Sequence, residues 1–269
     1  APSATAEVSA KLRRQRLHPM AGDQVVYTPG EGKQNGWLEE ILPRKNQLLR
    51  PPVANIDACV LVISAGYPQA DLMLIDRMLI FARMNGIEPV LAVNKCDEGD
   101  AEQLGVQYRG AQVQVFATCA RTGEGVEALK AALEGKVYAL CGQSGVGKST
   151  IISTLFGLEL ETGGLSRRTE RGRHTTRHVE LIDVGEDTLV FDTPGFSLLD
   201  LPLMEPMDVQ KGYPEFDNVS GCRFAPCAHI SEPGCMFKAE RESLMSDERY
   251  ERYKQIFDEM RERWKNRYD

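Results

Sequence analysis

A chain of 269 residues is longer than one small module, since domains run to roughly 100 to 200 residues, and two or more units are expected. With 42% hydrophobic and 26% charged residues it has a globular composition, and no apolar run approaches the ~20 residues that cross a bilayer, which argues against a membrane-embedded chain. The net charge of -7 argues against a uniformly basic, nucleic-acid-coating surface.

Ala1 to Ala10 lack the basic and apolar halves of a secretory signal, so the expected location is the cytoplasm. Residues 1 to 52 carry eight basic side chains against five acidic ones, and this local excess could face phosphate. Short alternating stretches, Gln24 to Tyr27 and Trp37 to Leu42, separated by Pro29-Gly30 and Asn35-Gly36, predict small antiparallel strands. Pro51-Pro52 ends the segment.

From Val53 to about Asp200 the pattern changes. Apolar strands at Cys59 to Ile63, Val90 to Val93, Val113 to Phe116, Val137 to Cys141 and Leu189 to Phe191 alternate with helical periods at Leu72 to Arg83, Val126 to Leu133 and Ser149 to Phe156. Parallel strands need crossover connections, so this alternation predicts an α/β unit with a parallel sheet covered by helices. From Leu201 the chain reads as loop through Pro226, then turns cysteine-rich. It ends in a charged stretch, Ala239 to Arg267, with the period of a helix or helix pair.

The segment Gly142-Gln143-Ser144-Gly145-Val146-Gly147-Lys148-Ser149, followed by Thr150, lies between a predicted strand and a predicted helix. That is the setting of a phosphate-binding P-loop, whose N–H groups converge on a β-phosphate at a helix N-terminus. Lys148 would bridge the β- and γ-phosphates and the Ser149 hydroxyl would ligate magnesium. Downstream, Asp192-Thr193-Pro194-Gly195 follows an apolar strand. There Asp192 would hold magnesium through water and the Gly195 N–H would sense the γ-phosphate. The polar stretch Arg171 to Arg177 between them suits a switch loop, with Thr176 favoured over Thr175 as a second magnesium ligand. These features alone do not separate ATP from GTP.

Asn94-Lys95-Cys96-Asp97 supplies the discrimination. A strand-end carboxylate accepts two hydrogen bonds from guanine N1–H and its exocyclic amine, whereas adenine would leave Asp97 unpaired, a cost of about a few kcal/mol. Lys95 would lie along the base, and Asn94 would tie this loop to the P-loop. Cys119-Ala120-Arg121, also after a strand, is similar to the loop whose main-chain N–H contacts guanine O6. The base motifs precede the phosphate motif, so the order is circularly permuted. Whatever follows Gly195 is then joined to the element that responds to γ-phosphate, and residues 201 to 269 would act as a lever.

Of seven cysteines, three cluster in Cys222-x4-Cys227-x-His229-x5-Cys235. An odd count in a cytoplasmic chain points to metal rather than disulfides, and three thiolates with one imidazole form a closed, structural zinc set for one ion.

Taken together, GQSGVGKS, GRHTTR, DTPG, the permuted order and the cysteine–histidine cluster resemble the RsgA (YjeQ) family of ribosome-assembly GTPases along essentially the whole chain. The resemblance implies an OB-fold-like barrel at 1–52, a circularly permuted P-loop GTPase domain at 53–200, and a zinc-binding, mainly helical domain at 201–269. It implies a partner in the small ribosomal subunit and its rRNA, with GTP and GDP as ligands; no membrane partner and a monomer are expected. Residues 1 to 52 are short for a full barrel, which is expected to be incomplete; Tyr27 and Trp37 are candidates for RNA stacking or for core. Phe196 stands where many small GTPases place a water-orienting glutamine, so slow intrinsic hydrolysis is expected. His174 and His178 are candidate helpers. Two other classes compete: a GTP-dependent switch for another RNA or protein, and a P-loop kinase or ATPase, against which Asp97 argues.

Overall fold

The computed structural model describes residues 5–14, 17–30, 34–49, 52–157, 179–192 and 201–268. The N-terminal strands β1 (Ala6–Val8), β2 (Val25–Thr28) and β3 (Gly36–Ile41), with the short helix α1 (Ala10–Arg14), form a sheet in the order β1-β3-β2. β2 and β3 are antiparallel, as the sequence predicts. β1 and β3 are parallel, a pairing that needs α1 and β2 as its crossover. A full OB barrel has five strands, and three stand here among the described residues. Next comes a hairpin of β4 (Gln47–Leu49) and β5 (Pro52–Ala54), so position 52 opens a strand. Leu48 and Val53 of this hairpin are buried in the core of the following unit.

That unit is a six-stranded sheet. Its strands are β6 (Ala58–Ser64), β7 (Glu88–Asn94), β8 (Gln114–Ala117), β9 (Val137–Cys141), β10 (Glu180–Asp183) and β11 (Leu189–Asp192), in the order β10-β11-β9-β6-β7-β8. Five run parallel, and β10 is an antiparallel edge strand. β6 lies inside the sheet and is buried at all seven positions, which is why it reads as a continuous apolar run. Its side chains alternate between two cores. Cys59, Leu61 and Ile63 pack with α2 (Leu72–Met84). Ala58, Val60 and Val62 pack on the opposite face with α4 (Val126–Leu133) and α5 (Lys148–Phe156). A further helix, α3 (Ala101–Val106), capped by Asp100, follows β7.

The C-terminal unit has a third core of Val209, Tyr213, Phe216, Phe237, Tyr253, Phe257 and their neighbours, joined by Ile80 of α2. Its charged stretch resolves into two helices, α6 (Met236–Leu244) and α7 (Asp247–Lys265). Buried Tyr250, Tyr253, Phe257 and Met260 give α7 its apolar stripe. The region from Leu201 to Pro226, read as loop, contains two 3₁₀ segments, Pro206–Gly212 and Pro214–Asn218. No helix among the described residues is long and apolar enough to cross a membrane.

Candidate nucleotide site and metal cluster

The C-terminal ends of parallel strands are where open α/β sheets bind ligands. Here the phosphate loop leaves β9, the Asn94 loop leaves β7 and the Cys119 loop follows β8. Because the three strands point the same way, their loops meet although the chain visits them in reversed order.

Asn94, buried at the end of β7, makes that meeting specific. Its Nδ2 donates to the Val146 carbonyl at 2.9 Å, and its Oδ1 accepts the Ala120 N–H at 3.0 Å and the Thr118 hydroxyl at 3.3 Å. One side chain thus pins the base loop, the phosphate loop and the loop after β8. Gly147 has φ +99°, and a Cβ there would collide with Asn94 Nδ2. Glycine is therefore required by both the backbone and the close approach. Thr154 of α5 adds a bond to the Ala120 carbonyl at 2.7 Å.

Asp97 has two protein partners. The buried Cys119 thiol donates to Oδ1 at 3.0 Å, and the exposed Arg121 guanidinium pairs with Oδ2. The thiol, with the guanidinium behind it, holds the Asp97 carboxyl below the usual carboxylate range, so the group is an ionised acceptor. Lys95 turns sharply out of β7 at φ +60° and donates to the Tyr67 carbonyl. Cys96 within this loop and Cys119 facing it form no disulfide, nor do the chain's other five cysteines.

On the phosphate side, α5 begins at Lys148, with Ser149 and Thr150 exposed in its first turn. Lys148 Nζ donates to the Gly142 and Gln143 carbonyls at 2.8 and 2.6 Å. Burial pushes its ammonium below the usual lysine value, because water no longer stabilises the charged form. Ser144 and Gly145 line the open rim of the loop. Asp192 ends β11, and its side chain, like Thr176, Gly195, His174, His178 and Phe196, lies outside the described residues.

The sequence reading missed the segment Ala65–Asp71, which joins the two halves of this site. Besides the Lys95 contact, the Asp71 N–H donates to Gln143 Oε1 at 3.1 Å. The available signal was Asp71 itself, an N-cap immediately before the apolar period of α2.

The second cluster is in the C-terminal unit. The ligand atoms of Cys222, Cys227, His229 and Cys235 all lie within 4.8 Å of one another. His229 Nδ1 is 3.3 Å from Cys235 Sγ and 3.8 Å from Cys222 Sγ. A tetrahedron with metal–sulfur bonds of about 2.3 Å has edges of about 3.8 Å, so this donor set fits a zinc ion. Burial raises the Cys227 thiol to about 12. At Cys222 burial also works upward, but hydrogen bonds from the N–H groups of Met236 and Phe237 and from the Cys227 and Cys235 thiols together outweigh it, and the thiol is lowered overall. Glu232 holds the turn by accepting N–H bonds from Ala228, Ile230 and Ser231 at 2.7 to 3.1 Å. In the N-terminal unit, Tyr27 and Trp37 are 45% and 48% exposed, which removes both from any core.

Comparison with known proteins agrees with this geometry. The RsgA GTPase family matches residues 41–202. The small ribosomal subunit biogenesis GTPase RsgA of Bacillus cytotoxicus is 42% identical over 261 residues, covering 94% of this chain and 88% of that protein. Its namesake from Halalkalibacterium halodurans is 40% identical over 266 residues, covering 96% and 90%. Among solved structures, YjeQ from Thermotoga maritima superposes with a TM-score of 0.80 at 33% identity, over 95% of this chain and 89% of that one. YloQ, a circularly permuted GTPase, gives 0.77 at 30% identity, over 96% and 86%. With the permuted order, the converging loops and this similarity along nearly its whole length, the chain belongs to the RsgA GTPase family and is a GTP-hydrolysing enzyme.

Proposed function

We propose that this GTPase binds the small ribosomal subunit, assists its late maturation, and leaves on converting GTP and water to GDP and phosphate. The observation that supports the nucleotide part is the Asn94 bond to Val146, which joins the Asp97 loop to the phosphate loop and so favours one guanine nucleotide lying against both. The ribosomal part rests on the names of the relatives, which are small-subunit biogenesis GTPases.

In this reading Asp97 accepts guanine N1–H and the exocyclic amine, Lys95 lies along the base, and the loop of Cys119, Ala120 and Arg121 supplies main-chain donors for O6. The N–H groups of Gly142 to Thr150 cradle the β-phosphate, and Lys148 bridges β and γ. Ser149, with Thr176 and, through water, Asp192, would hold magnesium, which neutralises charge on the β- and γ-oxygens. Gly195 reports the γ-phosphate. With Phe196 in place of a water-orienting glutamine, turnover is slow until the subunit orders the switch loop or adds a group, His174 and His178 being the chain's own candidates. Cys222, Cys227, His229 and Cys235 hold one structural zinc ion. We assign residues 1–52 to rRNA contact through a basic, aromatic surface including Tyr27 and Trp37. Residues 53–200 form the nucleotide domain and 201–269 the zinc-bearing domain of a cytoplasmic monomer.

Co-sedimentation with isolated small and large subunits, in a non-hydrolysable GTP analogue, tests the assignment. Retention on the small subunit alone is expected. Equal retention on both, or on neither, rejects it.

A further inference from the structure

The phosphate loop is tied through the Gln143 side chain to the segment that starts α2. Gln143 Oε1 accepts the main-chain N–H of Asp71, and the Asp71 carboxylate caps α2 by accepting the Leu74 N–H at 2.9 Å. Pro68, from the same segment, packs beside Gly145. Helix α2 therefore starts on the phosphate loop.

A turn and a half later the same helix is clamped by the C-terminal unit. Asp76, fully buried, pairs with Arg249 and, at 2.5 Å, with Arg252 of α7. Arg249, also fully buried, reaches Glu215 at 2.7 Å and the Gly212 carbonyl at 3.3 Å. Beside them, Arg77 forms a two-pronged pair with Glu259 of α7. Arg77, Arg249 and Arg252 thus face Asp76, Glu215 and Glu259 across the interface, with Arg83 donating to the same Gly212 carbonyl, and removing Asp76 or Arg249 would strand a buried charge. At 1.5 Å per residue, Asp71 and Asp76 are only about 7.5 Å apart along the axis. A hydrogen-bonded helix does not flex over that length, so α7 and the start of α2 move together.

We propose that α2 is the link through which the C-terminal unit sets the grip of the phosphate loop on nucleotide, with Gln143 as the positioning residue at its nucleotide end. The coupling is reciprocal: a partner that shifts α7 changes nucleotide affinity, and nucleotide changes the affinity for that partner by the same factor. This route is separate from the covalent connection that leaves the end of β11.

A double-mutant cycle on the full chain tests it, reading Kd and dissociation rate for a fluorescently labelled GDP, with thermal melts as a check on folding. Arg77→Ala breaks the clamp without touching a nucleotide loop, and Gln143→Met removes the acceptor at similar volume. Arg77→Ala is expected to change Kd about threefold or more in the natural background and to have no effect in the Gln143→Met background. Glu259→Gln, which loosens the same clamp from α7, should repeat the pattern. Unchanged Kd in both clamp variants overturns the inference, as does an equal change in both backgrounds. A natural chain that takes up no labelled GDP overturns the nucleotide reading on which the inference rests, and the inference with it.

Discussion

Asn94 Nδ2 donates to the Val146 carbonyl at 2.9 Å, joining the end of β7 to the phosphate loop. The two residues belong to motifs that the permutation has exchanged in order, and the bond holds because their strands remain neighbours of β6 on either side.

Asn94→Ala removes that bond together with those to Ala120 and Thr118. At about 1 kcal/mol or less each, the three losses total about 2 kcal/mol, or about a 30-fold weaker Kd. Titration with labelled GDP measures it, and a Kd within about twofold of the natural chain refutes the bridging role.

Asp97→Asn exchanges an acceptor for a donor opposite the guanine exocyclic amine. GTP affinity should fall by about 100-fold or more, because a buried polar mismatch is poorly tolerated. Xanthosine triphosphate, which carries a carbonyl at that position, should bind the variant better than GTP does. Competition titrations with both nucleotides decide it, and a variant that still prefers GTP contradicts the pairing.

The cysteine–histidine cluster should carry one zinc ion per chain by elemental analysis, and Cys235→Ser should carry less. Structural zinc stabilises the folded state directly. Chelation is therefore expected to lower the unfolding temperature of the C-terminal core while labelled GDP still binds the nucleotide domain. Equal zinc content in Cys235→Ser and the natural chain would remove that residue from the ligand set.

Arg77 holds the Glu259 carboxyl below its usual range. A depressed folded value means that the unfolded chain binds more protons, so the stabilisation is complete above the unfolded value of about 4.3 and is lost as pH falls through the folded one. Solvent screening keeps the effect modest for this half-buried group. Thermal melts of Glu259→Gln should lie below those of the natural chain near pH 7 and coincide with them in strong acid. A gap that widens on acidification would reverse the assigned sign.

Much of the nucleotide site was legible because its chemistry is local. The P-loop is eight consecutive residues between a strand and a helix, and Asn94 to Asp97 follow an apolar run at once. What was not legible depends on distant partners. Glu215 sits in a stretch that reads as loop, and only its pairing with Arg249 shows why a carboxylate is buried there. Asp76 looks like an ordinary helix residue until α7 covers it. β10 offers only Leu181 and Ile182 between two acidic ends, too short a signal without β11 beside it. Helix α3 holds a glycine and is six residues long, below the length at which periodicity is informative. The parallel pairing of β1 with β3 also has no local signature.

The position of β6 between β7 and β9 also bears on how the protein is born. As the polypeptide emerges, β6 can pair with β7 early, but its other edge waits for β9, roughly 70 residues further on, or about 4 to 14 s at translation speeds of roughly 5 to 20 residues per second. For that interval a strand apolar in all but its last residue presents an unpaired backbone edge, a template for mispairing with another nascent copy. Reordering the motifs places the guanine-reading half first off the translating ribosome, and it leaves one edge of β6 unpaired until β9, immediately ahead of the phosphate loop, is made.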